Sequence, residues 1–278
     1  KIICEFASSH DGDLALAKAM IDAVAENAPG SIVKFQDWRA SNVPDSDPDK
    51  FRYKTYEFPE MWYEVLPRYC QSKGLEFLTS VFNADRAAVV AGYGVKKVKI
   101  ASVCMTNHDL LMMAGAHFDE VIASTAMHTL KEIEEASNVL ASNAKKFTLM
   151  ACTAEYPCQP EHARLDRIDW LKKLLDGQEY ASVGFSSHCL DLDADKAAIA
   201  KGITYIEKHF SLSRSLPQIP HQMFEGGPMT TTHAVSIEPH ELRELAAWRD
   251  KVALMSPDIG TTVIEKKIKA RYRGRYGK

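Results

Sequence analysis

Short apolar runs alternate with amphipathic stretches along almost the whole chain. The apolar, β-rich runs fall at residues 2–6, 31–36, 76–81, 95–102, 119–124, 147–152, 182–187 and 204–210. Between them, apolar residues recur with helical spacing at 14–26, 59–73, 84–91, 109–116, 130–140, 165–175, 193–201 and 239–254. Asp13 is placed to cap the first helical segment, and Lys73-Gly74 and Lys201-Gly202 read as helix ends with glycine just past the last turn. The strand-type runs are short and rarely alternate strictly, as expected when both faces of a parallel sheet are covered. Eight βα units predict a closed (β/α)8 TIM barrel over residues 1–255, followed by a basic tail or linker over 256–278. The alternative, a doubly wound open sheet, would carry a glycine-rich first turn, and Phe6-Ala7-Ser8-Ser9-His10-Asp11-Gly12 does not fit G-x-G-x-x-G. Two irregular stretches, 37–58 and 212–235, are long enough to suggest function.

Composition narrows the partners more than the fold. The 278 residues are 46% hydrophobic and 26% charged, which excludes disorder, collagen and coiled coil. No run of apolar residues is long enough for a membrane span, and Glu5 interrupts what would be a signal segment. A net charge of −3 gives no steering toward nucleic acid. The charge is uneven, because residues 266–278 hold seven Lys or Arg and no acid. Six cysteines without a C-x-x-C pair read as reduced thiols in a cytoplasmic protein.

The ends of the strands carry the chemistry. In a parallel barrel the site forms where the strands end, and here those ends hold Glu5, Lys34 and Gln36, Ser80, Lys99 and Ser102, Ser124, Tyr156, Ser186 with His188, and Glu207 with His209. So many polar groups on one rim point to an anionic ligand and a metal. Lys34 and Lys99, from different strands, supply positive charge for a phosphate or carboxylate, with serine hydroxyls completing the cradle. His188 and His209 close consecutive strands, where two imidazoles can meet one divalent ion, with Glu207 a further ligand or an orienting group. Manganese suits such a site best, with Mg²⁺, Co²⁺, Zn²⁺ or Fe²⁺ as alternatives.

Several segments resemble the sialic acid (N-acetylneuraminate) synthase family. They are Glu5-x₄-His10-Asp11-Gly12-Asp13-Leu14, Val33-Lys34-Phe35-Gln36, Lys99-Ile100-Ala101-Ser102, Ser124-Thr125-Ala126-Met127, Cys152-Thr153-x₂-Tyr156-Pro157, Gly184-Phe185-Ser186-Ser187-His188, Glu207-Lys208-His209-Phe210 and His233-x₂-Ser236-Ile237-Glu238-Pro239. They run collinearly over about residues 2–250. The resemblance implies a metal-dependent condensation of phosphoenolpyruvate with an open-chain N-acylhexosamine-like aldehyde, giving a nonulosonic or related 3-deoxy-ulosonic acid and phosphate. It implies that His188 and His209 hold the metal. Lys34, Ser80, Lys99, Ser102, Ser124 and Ser186 would bind phosphoenolpyruvate, Gln36, Tyr156 and His233 would contribute to substrate binding, and Glu5 would sit beside the reacting carbons. It also implies a C-terminal antifreeze-like domain, whereas this sequence ends at Lys278 within what resembles the linker; a second copy of the chain is a candidate partner.

The chain departs from the family pattern at several positions. Ser187, Cys104 and Thr232 stand where the family has acids, Ala154 and Ser9 where it has asparagine, and Ala126 where it has glycine. These losses point to an acceptor other than simple N-acetylmannosamine. They also support an alternative, a catalytically weakened barrel that binds a sugar or a partner protein. A different metal-dependent barrel, such as a hydrolase, would show H-x-H on the first strand, and none is present. The 212–232 segment, with His221 and Glu225, is a candidate lid.

Overall fold

A computed structural model describes residues 1–222, 229–255, 260–273 and 275. The first half alternates β1 (Ile2–Glu5), α1 (Leu14–Asn27), β2 (Ile32–Gln36), α2 (Lys50–Thr55), α3 (Trp62–Ser72), β3 (Glu76–Val81), α4 (Ala84–Gly92), β4 (Lys97–Ile100) and α5 (His108–His117). It continues through β5 (Glu120–Ser124), α6 (Leu130–Asn143), β6 (Phe147–Cys152), α7 (Asp166–Leu174), β7 (Ala181–Ser187), α8 (Asp193–Ala200) and β8 (Tyr205–His209). A two-residue hairpin, β9 (His221–Gln222) with β10 (Met229–Thr230), precedes α9 (Pro239–Met255) and α10 (Val263–Tyr272). Strands β1 to β8 are all parallel and close into a barrel in sequence order, with β8 pairing back onto β1. This is the fold expected from the alternation of apolar runs, with most boundaries shifted by one or two residues. None of the described helices is long and apolar enough to cross a membrane.

Local chemistry explains the helix starts. The Asp13 carboxylate accepts from the amides of Ala15 and Leu16, and Thr129 and Glu132 form a reciprocal capping box at α6. The outward-facing side chains of the strands meet the helices in one continuous apolar shell that includes Phe6, Phe35, Val98, Phe147 and Phe185.

Inside the barrel the side chains obey a strict two-residue period that the sequence obscured. The inward positions form three stacked layers. The middle layer is apolar and consists of Ile3, Ile32, Leu78, Ile122, Met150 and Tyr205. Below it, toward the strand starts, lie Glu76, Lys97, Glu120, Thr148 and Ser182. Above it lie Glu5, Lys34, Ser80, Lys99, Ser124, Cys152, Ser186 and Glu207. Gly184 belongs to the middle layer: a Cβ there would stand 2.8 Å from the Tyr205 carbonyl oxygen and collide with the Met150 sulfur, so only glycine admits Met150 to the core. The apolar layer seals the barrel from below, and the upper layer becomes the floor of a cavity.

Candidate active site

The register of the strands sets the site. Lys34 pairs with Glu5 and Glu5 with His209, so three side chains share one level. Gln36 aligns with Ser80 and Ser80 with Lys99, while Cys152 aligns with Ser186 and Ser186 with Glu207. Parallel pairing therefore brings together residues up to two hundred positions apart. They line a cavity of about 380 Å³ together with Ser102, Ser124, Tyr156 and His188, and with the apolar atoms of Val103, Met127 and Ala154.

Charge inside this cavity is balanced two against two. Lys99 Nζ lies 2.9 and 3.1 Å from the two Glu207 oxygens, of which Oε1 also accepts from Ser186 Oγ at 3.0 Å. Lys34 contacts the Glu5 carboxylate, donates to Ser80 Oγ at 3.1 Å and lies 3.8 Å from Glu207. Glu5 is fixed from behind by the Ala7 amide at 2.6 Å. All four charged groups are almost wholly buried. Burial pushes the Glu207 carboxyl up, but Lys34 and Lys99 outweigh it and hold the group well below the usual carboxylate range. Burial pushes the Lys34 ammonium down, with Glu207 opposing the shift and Lys99 adding to it. Glu207 therefore serves as counter-ion to both lysines.

The two histidines sit on the same rim with ring centroids 5.5 Å apart. His188 follows the last residue of β7, and its Nδ1 lies 2.8 Å from the Thr153 carbonyl oxygen. A proton on that nitrogen leaves the Nε2 lone pair free. The Tyr156 ring packs over it at 3.9 Å. Burial lowers His188 to about 4, and burial and His188 together lower His209 well below the ordinary value, so both rings are neutral at pH 7. His209 Nδ1 is buried without a partner among the described residues. Two neutral imidazoles, one oriented by a carbonyl and one with an unmet nitrogen, fit a divalent cation as a pair. No group of three or more His, Cys, Asp or Glu suited to a metal occurs among the described residues. Further ligands would have to be water or substrate oxygens.

With this geometry in view, comparison with known proteins is decisive about kinship. Residues 20–261 match the sequence model of the NeuB family. The chain belongs to that family. N,N'-diacetyllegionaminic acid synthase of Campylobacter jejuni is 31% identical over 262 residues, 88% of this chain and 73% of that protein. Spore coat polysaccharide biosynthesis protein SpsE of Bacillus subtilis is 29% identical over 98% of this chain and 73% of its own length. The crystal structure of an N-acetylneuraminic acid synthetase from Leptospira borgpetersenii in complex with citrate superposes with a TM-score of 0.84 at 27% identity, covering 99% of this chain and 92% of that one.

Against the NeuB pattern, most of the residues singled out from the sequence converge on the cavity. Glu5, Lys34, Gln36, Ser80, Lys99, Ser102, Ser124, Tyr156, Ser186, His188 and His209 all line it. Ser102 belongs to a short turn beyond β4, and its Oγ accepts from the Ala126 amide at 3.1 Å. Ser124 Oγ has no partner among the described residues. His233 is the exception. It lines no described cavity, because its ring is tucked behind the first βα loop with Nδ1 3.3 Å from Ser9 Oγ. His10 is likewise a core residue, packed on Trp62 and Phe35.

A second cavity of about 250 Å³ opens beside the first and shares Gln36, Tyr156 and His209 with it. Its outer wall comprises Trp38, Asp49, Arg52, Tyr53, His221 and Thr230–Thr232. Of these, the sequence singled out His221, in the candidate lid, and Thr232, as a departure from the family pattern. Trp38 to Tyr53 come from the irregular stretch after β2, where no period marks which side chains turn inward. Glu225 lies outside the described residues.

Proposed function

We propose that this barrel condenses phosphoenolpyruvate with the aldehyde carbon of an open-chain, N-acylhexosamine-like sugar, releasing phosphate and a nonulosonic or related 3-deoxy-ulosonic acid. The observation that carries the reading is the juxtaposition of two buried lysines and a set of serine hydroxyls with two neutral imidazoles at the mouth of one cavity. Lys34 and Lys99, with Ser80, Ser124 and Ser186, hold the phosphate and carboxylate of phosphoenolpyruvate, and the ligand takes over positive charge that Glu207 otherwise neutralises. Gln36 and Tyr156, at the junction of the two cavities, orient the sugar so that its aldehyde faces the enol carbon.

The bond changes balance as follows. Enol C3 attacks the aldehyde carbon, whose oxygen takes up a proton. Positive charge develops at C2, water adds there, and Glu5 is placed to accept the proton this water releases. The tetrahedral carbon collapses to the ketone as its bond to the phosphate oxygen breaks, and the proton of its hydroxyl leaves with the phosphate, while the proton held on Glu5 balances the one taken up by the aldehyde oxygen. Fixed ammonium and hydroxyl donors keep the phosphate in place throughout, so they are already oriented when charge is redistributed. His188 and His209 would hold a divalent cation, manganese by preference, which as a Lewis acid would polarise the aldehyde oxygen.

Phosphate release, followed in ¹⁸O-labelled water with and without aldehyde sugars, tests the reading. The expected result is release that requires both an aldehyde and a divalent cation, with unlabelled phosphate because the C–O bond breaks. Labelled phosphate, or release that ignores the aldehyde, would overturn it.

A further inference from the structure

The second cavity contains a charge that no carboxylate among the described residues neutralises. Arg52, on α2, is only 8% exposed. Its Nε is buried with no hydrogen-bond partner, and no carboxylate among the described residues lies within ion-pair distance of its guanidinium. Its one side-chain contact of note is the Tyr53 ring, 5.1 Å from Cζ. Asp49 shares the wall but forms no ion pair with Arg52; its backbone carbonyl accepts from the Arg52 amide at 2.9 Å. His221 stands nearby with its own Nδ1 unpartnered, and the Thr230–Thr232 hydroxyls complete the wall. A guanidinium held away from water without a counter-ion is costly, and its fork of donors suits an oxyanion bidentately.

This cavity adjoins the reacting mouth through Gln36, Tyr156 and His209, so it receives the part of the acceptor remote from the aldehyde. Resting on the condensation proposed above, we propose that the acceptor sugar is anionic: it carries a phosphate ester or a carboxylate at its far end, gripped by Arg52 with His221 and the threonine hydroxyls. Arg52 is thus a specificity-determining residue, and neutral hexosamines are poor substrates.

The test compares three aldehyde sugars of one scaffold, a neutral N-acetylhexosamine, its 6-phosphate and its 6-carboxylate, for phosphate release from phosphoenolpyruvate. The wild-type protein is expected to favour one or both anionic sugars by about 10- to 100-fold in kcat/KM, the range of a charged hydrogen-bonded contact. Whichever anionic arm is preferred identifies the group. In Arg52→Met that selectivity ratio collapses toward unity, while Arg52→Lys retains part of it. Because a ratio is read, partial misfolding of a variant does not mimic the effect. Equal use of neutral and anionic sugars by the wild type, or a ratio unmoved in Arg52→Met, overturns the inference. If no sugar supports phosphate release, the condensation reading fails on its own, and calorimetric binding of the same three sugars to wild type and Arg52→Met decides the subsite: an Arg52-dependent anionic preference supports it, and none refutes it.

Discussion

The two ends of the barrel interior are built from nearly the same residue types and behave differently. Near the strand starts, Lys97 donates to Glu76 at 2.9 Å and lies 3.4 Å from Glu120. Glu120 also accepts from Tyr205 Oη at 3.0 Å and Thr148 Oγ1 at 3.2 Å, and Thr148 meets Ser182 at 2.7 Å. None of these side chains has a buried polar atom left unpaired. Two residues further along the same strands, Lys99 and Glu207 open onto a cavity beside an unmet Ser124 hydroxyl and an unmet His209 nitrogen. Polar residues inside a barrel therefore do not by themselves mark a site. Unmet hydrogen-bonding capacity next to open volume does.

Removing an imidazole at the mouth is expected to break this contrast most sharply. His188→Ala or His209→Ala should lower turnover by at least about a thousandfold, as for loss of a group that orients the reacting centre, and should weaken Mn²⁺ binding measured by calorimetry. Turnover that survives in metal-stripped wild type would remove the metal from the account.

The lysines two residues apart give the cleanest pairing. Lys99→Met should lower kcat/KM for phosphoenolpyruvate by about a hundredfold, chiefly through KM. Lys97→Met should leave kinetics within a few fold and cost about 1–3 kcal/mol in urea unfolding, because Glu120 and Glu76 lose their shared cation. Exchange of these two outcomes would mean that the working end is the other one. The double change Lys99→Met with Glu207→Leu should remain folded with little loss of stability, since a buried ion pair replaced as a unit is often neutral, while turnover disappears.

Acid should separate the two ends by pH. His188 and His10 are lowered by burial to about 4, against about 6.5 in the unfolded chain. As pH falls from 7 through 6.5 toward 4, the unfolded chain binds protons that the fold refuses, so stability drops by up to about 1.4 kcal/mol per pH unit for each ring. Glu76 in the lower cluster is held below its usual value by Lys1 and Lys97, which outweigh burial, so its contribution persists until the carboxylate range. Urea midpoints at pH 7 and 5 measure this, and His10→Leu should flatten the slope by about one proton. Removal of the α6 cap, Thr129→Ala, lies far from both ends and should cost only about 1 kcal/mol with unchanged kinetics.

Much of this was legible in the chain. The eight apolar runs announced the barrel, and its topology then obliged Lys34, Lys99, His188 and His209 to share a rim. Three features were not. The inward period was hidden because outward positions are apolar too, so Ile3, Ile32 and Leu78 look no different from their neighbours. Helix α2 is six residues long with no apolar repeat, which concealed Arg52. Helix α10 lies within what reads as a basic tail, although Thr262 and Glu265 carry the capping signature that could have revealed it.

The pairing of the first strand with the eighth has a consequence for biosynthesis. Glu5 meets His209 only after more than two hundred intervening residues have been made, so the emerging polypeptide carries Glu5 and Lys34 without their β8 neighbours until the ring shuts. A nascent chain halted before β8 lacks Glu207 and His209, and with them the wall that completes the ring around Lys34 and Lys99.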